Sequence, residues 1–175
     1  MDPLTVYLSC KYRDSAAGIQ PYASAWWRGA PVTIRGAIYN QDGTLSNLAG
    51  ITAIRFSITN AVNGGPGLTP WFQEDYPAAG FNPDLTLDEW TAKPPTAWHF
   101  EIPLTGEDTL LPVKGVSTAY WGMLEAKLTS GAYVPLAGMQ ITLRSTTGGT
   151  LDRDALGYVG AITFGGIPIV FNPSA

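Results

Sequence analysis

Cysteine occurs once in 175 residues, at Cys10, so an internal disulfide framework is excluded. Charge is scarce as well. Only 14% of residues are Asp, Glu, Lys or Arg, against about a quarter in an average globular chain. Such a sequence has little charge with which to keep its surface solvated and apart from its neighbours. Two readings follow: a surface partly covered by partners, or a β-rich protein decorated with Ser, Thr and Asn. Basic residues are not in excess. Ten Lys and Arg face fourteen Asp and Glu for a net charge of −4, so the electrostatic footprint of a nucleic-acid binder is missing. The opening "MDPLTVYLSCKYRD" lacks a basic stretch followed by an apolar one. The expectation is no signal peptide and folding in a reducing cytoplasm. Internal repeats, heptads and long amphipathic helices are missing too. The last absence is the most unusual: after Asp154 no charged residue occurs. A membrane span is nonetheless not expected there, because Gly157, Gly160, Gly165, Gly166 and Pro168 interrupt the run and its residues favour extended structure.

What is present is alternation with a period of two. "LTVYLSC" puts Leu4, Val6, Leu8 and Cys10 on one face. "VTIRGAIY" does the same for Val32, Ile34, Gly36 and Ile38, and "AIRFSIT" for Ile54, Phe56 and Ile58. "AWHFEI" places Trp98, Phe100 and Ile102 inward with His99 and Glu101 outward, and "GMQITLR" places Met139, Ile141 and Leu143 inward. Each is the pattern of a half-buried strand. Asp42-Gly43 and Ser130-Gly131 mark tight turns, the second joining two long runs as a hairpin. Pro135 then marks an edge or a bulge. Helical signals are short: Thr86 to Glu89 forms a capping box stopped by Pro94 and Pro95, and Thr105 to Asp108 is a similar one-turn start. Asn60 to Asp84 reads as one long irregular stretch, rich in Gly, Pro and aromatics.

The chemistry-bearing residues form no site. His99 is the single histidine, and no neighbouring residue supplies the nucleophile and orienting group a catalytic triad needs. Cys10, on an apolar face, reads as an inert packed thiol. Acid pairs at Glu74-Asp75, Asp88-Glu89, Glu107-Asp108 and Asp152-x-Asp154 could be read as glycosidase carboxylates or calcium ligands. No full ligand spacing accompanies them, and capping and solvation account for them. No catalytic residue, metal ligand or cofactor is assigned. Aromatics concentrate at Trp26-Trp27 and, in the long stretch, at Trp71, Phe72, Tyr76 and Phe81. The second group reads either as a ligand or partner loop, a glycan-stacking surface included, or as rings folded back over the end of a sandwich.

The order of segments adds a resemblance. "VTIRGAIYNQDGTLSNLAGITAIRFSI", "WTAKPPTAWHFEIPLTGEDTLLPV" and "YWGMLEAKLTSGAYVPLAGMQITL" follow one another across Val32 to Leu143. This pattern resembles the N-terminal β-sandwich of phage baseplate upper proteins and kindred modules of tail and head fibre proteins. The resemblance implies an immunoglobulin-like sandwich that docks a fibre or receptor-binding part on a virion, often as a trimer, with no catalytic residues. No coiled coil or receptor-binding domain follows here, which favours an adaptor, decoration or fibre-base role over direct receptor binding.

The expected fold is therefore all-β: an immunoglobulin-like antiparallel β-sandwich over residues 1–146 with a C-terminal extended arm over 147–175. The arm's Tyr158, Val159, Ile162, Phe164, Ile167, Ile169, Val170 and Phe171 are the expected assembly interface, adding strands to a neighbour's sheet edge or lining a symmetric contact. The alternative is that they are the sandwich's own last strands. Expected partners are further copies of the chain, as a trimer, and other virion proteins, with a glycan as the alternative ligand. The expected location is the virion, after synthesis in the host cytoplasm.

Overall fold

A computed structural model describes residues 3–12, 22–60, 69–145, 161–164 and 167–170. Among these residues ten strands and one short α-helix follow in order: β1 (Leu4–Lys11), β2 (Tyr22–Trp27), β3 (Val32–Tyr39), β4 (Ile51–Asn60), β5 (Phe72–Pro77), α1 (Leu87–Thr91), β6 (Phe100–Leu104), β7 (Ser117–Leu128), β8 (Tyr133–Arg144), β9 (Ala161–Phe164) and β10 (Ile167–Val170), with a single 3-10 turn at Ala78–Gly80. Two sheets pack as a sandwich. One is three-stranded in the order β1-β3-β6, the other five-stranded in the order β2-β8-β7-β4-β5. β9 and β10 pair with each other as a separate two-stranded sheet.

Both main sheets are mixed rather than wholly antiparallel. β1 runs parallel to β3, and β2 runs parallel to β8. Consecutive strands β4–β5 and β7–β8 pair antiparallel, whereas the two N-terminal strands are added at the sheet edges, where no tight turn dictates direction. The turn chemistry holds where it was legible. Leu128 N–H donates to Ala132 O at 2.8 Å to close the β7–β8 hairpin. The ladder shifts register where Glu125 faces Pro135, so the proline marks a bulge.

The core lies between the sheets. Leu8, Cys10, Ile34, Ile38, Ile54, Phe56, Ile58, Ile102, Met139 and Ile141 are among its completely buried members, each at an alternate position of its strand. Burial pushes the Cys10 thiol up to about 12, which leaves it an unreactive apolar group at neutral pH. A second, smaller cluster covers the outer face of the three-stranded sheet. Trp90 of α1, Leu85 and Ala37 form it, with Tyr7, Tyr39, Leu45 and Trp98 packed around them. The helix owes its short life to its cap: Thr86 Oγ1 accepts from Glu89 N–H, and the Glu89 carboxylate accepts from Thr86 N–H at 2.9 Å. That cap aims Trp90 at the sheet, where its indole N–H donates to Ser9 at 3.2 Å and its ring meets Tyr7 edge-on at 6.2 Å.

Three expectations are corrected here. Asn60 to Asp84 is not one irregular stretch, because it contains β5, the edge strand of the larger sheet. Trp98 lies in the outer cluster, under the Arg35 guanidinium at 3.6 Å, rather than in the core. His99 is not on the polar face: it is 1% exposed. The reason is shared. β6 begins at Phe100, so the alternation cannot be extended back across Trp98 and His99.

Candidate functional site

The four aromatics of the expected ligand loop are dispersed. Phe72 opens β5 and packs against the core, its ring 6.2 Å from Phe56. Tyr76 and Phe81 also pack against the core, Phe81 at 6.0 Å from Phe100. Burial raises the Tyr76 phenol above its ordinary range. Only Trp71 faces solvent, 53% exposed, with its indole N–H donating to Asn60 Oδ1 at 3.0 Å. The cause is pairing: Ile58↔Phe72 and Ile54↔Tyr76 put alternate β5 residues on the core side of the sheet.

The same register creates a polar network on the opposite face. Asp75 of β5 lies across from Arg55 of β4, which lies across from Glu125 of β7. Arg55 Nε donates to Asp75 Oδ1 at 2.7 Å. Tyr133 Oη and Lys127 Nζ donate to Asp75 Oδ2 at 2.8 and 3.3 Å, and the Arg55 guanidinium lies 3.7 Å over the Tyr133 ring. Hydrogen bonding to Arg55, above all, holds the Asp75 carboxyl down at about 2. Glu125, partly desolvated beside it, is pushed up by burial. This network ties four strands across the sheet and leaves Asp75 with donors on both oxygens, so its chemistry is structural. Asp75→Ala is expected to cost about 1–2 kcal/mol in urea unfolding, because two cations lose their shared anion at a half-buried site. A loss below about 0.3 kcal/mol would mark the network as ornamental.

His99 makes a different contact. Its Nδ1 accepts from Ile38 N–H at 2.8 Å, its own N–H donates to Gly36 O at 2.9 Å, and its carbonyl accepts from Asn82 N–H at 2.9 Å. Desolvation lowers its pKa to about 4. The neutral ring is thus a main-chain clip between β3 and the segment before β6. Two further acids serve as caps: Glu89 caps α1, and Asp108 accepts from Thr105 N–H at 2.7 Å. Asp152 and Asp154 lie outside the described residues. Among the described residues, no three His, Cys, Asp or Glu are grouped to hold a metal ion, and no helix is long and apolar enough to cross a membrane.

One end of the sandwich carries an apolar surface that alternation did not reveal. Leu4 begins β1, Trp27 ends β2, and Leu110 and Val116 lie in the connection from β6 to β7. Their exposures are 44, 49, 50 and 70%. The pairing brings these positions to the same end: Leu4↔Val32, Val32↔Leu104, Trp27↔Arg144 and Arg144↔Ser117. Ser145, from which the chain leaves β8, donates its N–H to Val116 O at 3.0 Å. Of the expected arm residues, Ile162 and Phe164 lie in β9 and Ile167, Ile169 and Val170 in β10. Tyr158, Val159 and Phe171 lie outside the described residues.

No family model and no curated protein matches this sequence. Among solved structures, the chain is similar to the N-terminal domain of phage TP901-1 ORF48, with 10% sequence identity and a TM-score of 0.41 over 81% of this chain and 98% of that one.

Proposed function

We propose that this chain is a non-enzymatic structural component of a bacteriophage virion. In this reading it is an adaptor, decoration or fibre-base part that self-associates through residues 147–175, as a trimer, and docks onto the tail or capsid. The segment order across Val32 to Leu143, with its resemblance to baseplate and fibre modules, supports the virion setting. The observation that carries the self-association is the pairing of the charge-free run. β9 and β10 make a ladder with each other, while the two sandwich sheets are built from β1 to β8. Among the described residues neither β9 nor β10 pairs with a sandwich strand, which supports reading the run as an arm. A short apolar hairpin is at best marginally stable alone in water and needs a further surface to pack on. Association of identical arms provides one without stranding a charge in the contact.

A glycan-binding role would rest on Trp71 alone, since Phe72, Tyr76 and Phe81 are turned into the core, and a stacking platform wants several exposed rings.

The test is the native mass, by light scattering on a sizing column, of the full chain and of a chain ending at Ser145. The expected result is a defined oligomer for the first and a folded monomer for the second. Two monomers, with the shorter chain unfolded, would instead make the run part of the sandwich's stability and end this reading.

A further inference from the structure

We propose that the apolar end formed by Leu4, Trp27, Leu110 and Val116 is the surface on which the β9–β10 hairpin of a second copy of this chain docks. The inference rests on the self-association read above and names its receiving surface. Seven large apolar side chains are exposed among the described residues, and four of them gather at this one end. Isolated exposed apolar residues are ordinary, but a gathered set marks a contact.

Three observations favour the hairpin as occupant. The first is position. The chain departs for its C-terminal segment from this same end, at Ser145, whose N–H is bonded to Val116 O. The second is chemistry. Ala161–Phe164 and Ile167–Val170 contribute Ala, Ile, Thr, Phe, Pro and Val and no charge, so they can cover apolar surface without burying an unpaired ion. Arg144 borders the patch, its guanidinium 5.9 Å from the Trp27 ring, and stays at the rim, where cations are tolerated. The third is reach. Residues 146–160 lie between the sandwich and the hairpin and could extend to about 50 Å, more than the width of a domain of this size. An arm of that length can cross to a neighbour, and a reciprocal exchange closes a symmetric assembly with every hairpin seated.

Two experiments test this together. Full-length Trp27→Asp/Val116→Asp places charge on exposed positions, so the sandwich should melt as the native protein does. Its native mass should fall to the monomer value, matching the chain that ends at Ser145. Second, Val116→Cys and Thr163→Cys chains are co-expressed and mildly oxidised. The buried Cys10 thiol stays out of the reaction. A disulfide-linked dimer of one chain of each kind is the expected product. If the native chain is oligomeric and the chain ending at Ser145 monomeric, yet the charged variant keeps its mass and no mixed dimer forms, the docking surface is wrong and self-association stands. If the native chain is itself a monomer, the functional reading fails as well. A disulfide formed only within a single chain carrying both cysteines would show the hairpin capping its own sandwich, and would overturn the exchange.

Discussion

Gly36→Ala is expected to destabilise the sandwich by about 3 kcal/mol, near the upper range for forcing extra volume into a packed core. For a domain of this size that is a fall of roughly 10 °C in melting temperature. A Cβ at Gly36 would lie 2.2 Å from Phe100 Cζ and 2.5 Å from Cε1. Such distances cannot be absorbed by a few tenths of an ångström. Gly36 pairs directly with Phe100 across β3 and β6, and the ring lies over the bare glycine backbone. The ring has nowhere to go: it is 1% exposed and packed against Phe81. The carbonyl of Gly36 itself adds to the cost, because it accepts from His99 N–H and any shift of β3 strains that bond. Phe100→Leu in the same chain should relieve the clash, so the double variant should be more stable than the two single losses added together predict. A strictly additive cycle, or a loss below about 1 kcal/mol for Gly36→Ala, would mean that β3 and β6 can move apart, and the packing described here would be wrong.

Gly36 also shows what could be read without coordinates. Alternation placed it on the inward face of its strand, and that was right. What alternation cannot supply is the residue across the ladder, and so the reason that glycine stands there. The same limit explains the rest. β3, β4 and the β7–β8 hairpin were legible because one face of each is apolar and the turn between β7 and β8 is Ser-Gly. β5 was not legible, because "FQEDYP" is an edge strand whose core side holds Phe72 and Tyr76 around an exposed Glu74. The direction of β1 and β2 was hidden for another reason: parallel addition at an edge leaves no turn signal behind. The Asp75 network draws on four strands, and its members are distant in sequence, so only the register assembles it. The apolar end is of the same kind. Leu4, Trp27, Leu110 and Val116 share no periodicity; the topology alone collects them. By contrast, the charge-free run after Asp154 is a property of composition and needed no structure to be noticed.

Acidification from pH 6.5 to 4 is expected to remove about 3 kcal/mol of folding stability through His99 alone. The ring is buried, with Nδ1 committed to accepting from Ile38 N–H, so its one proton sits on Nε2, which has no partner among the described residues. A second proton would have to go on Nδ1, breaking that bond and placing a cation in the interior. The native pKa is accordingly about 4, against 6.5 for a free histidine. The sign follows from proton counting. Between those two values the unfolded chain carries a proton that the native chain does not, so falling pH favours unfolding, and the effect is complete once pH drops below 4. A difference of about 2.5 units, at 1.36 kcal/mol each, gives the magnitude. Glu89, held down by its hydrogen bonds to Thr86, adds a loss in the same direction once pH falls below 4.5. Asp75, held at about 2, costs stability only as pH falls from 3.8. Glu125, raised by burial, is protonated first in the native chain and partly opposes His99 above 4.5. His99→Asn separates these contributions, because an amide oxygen can still accept from Ile38 N–H but does not titrate. The variant should lose some stability at pH 7 through lost packing, and the gap to the native chain should then shrink by about 3 kcal/mol on reaching pH 4. Parallel pH profiles for the two proteins would refute the buried neutral ring. Because the chain has a single histidine, the NMR titration of its ring is unambiguous, and a midpoint above 6 would refute it independently.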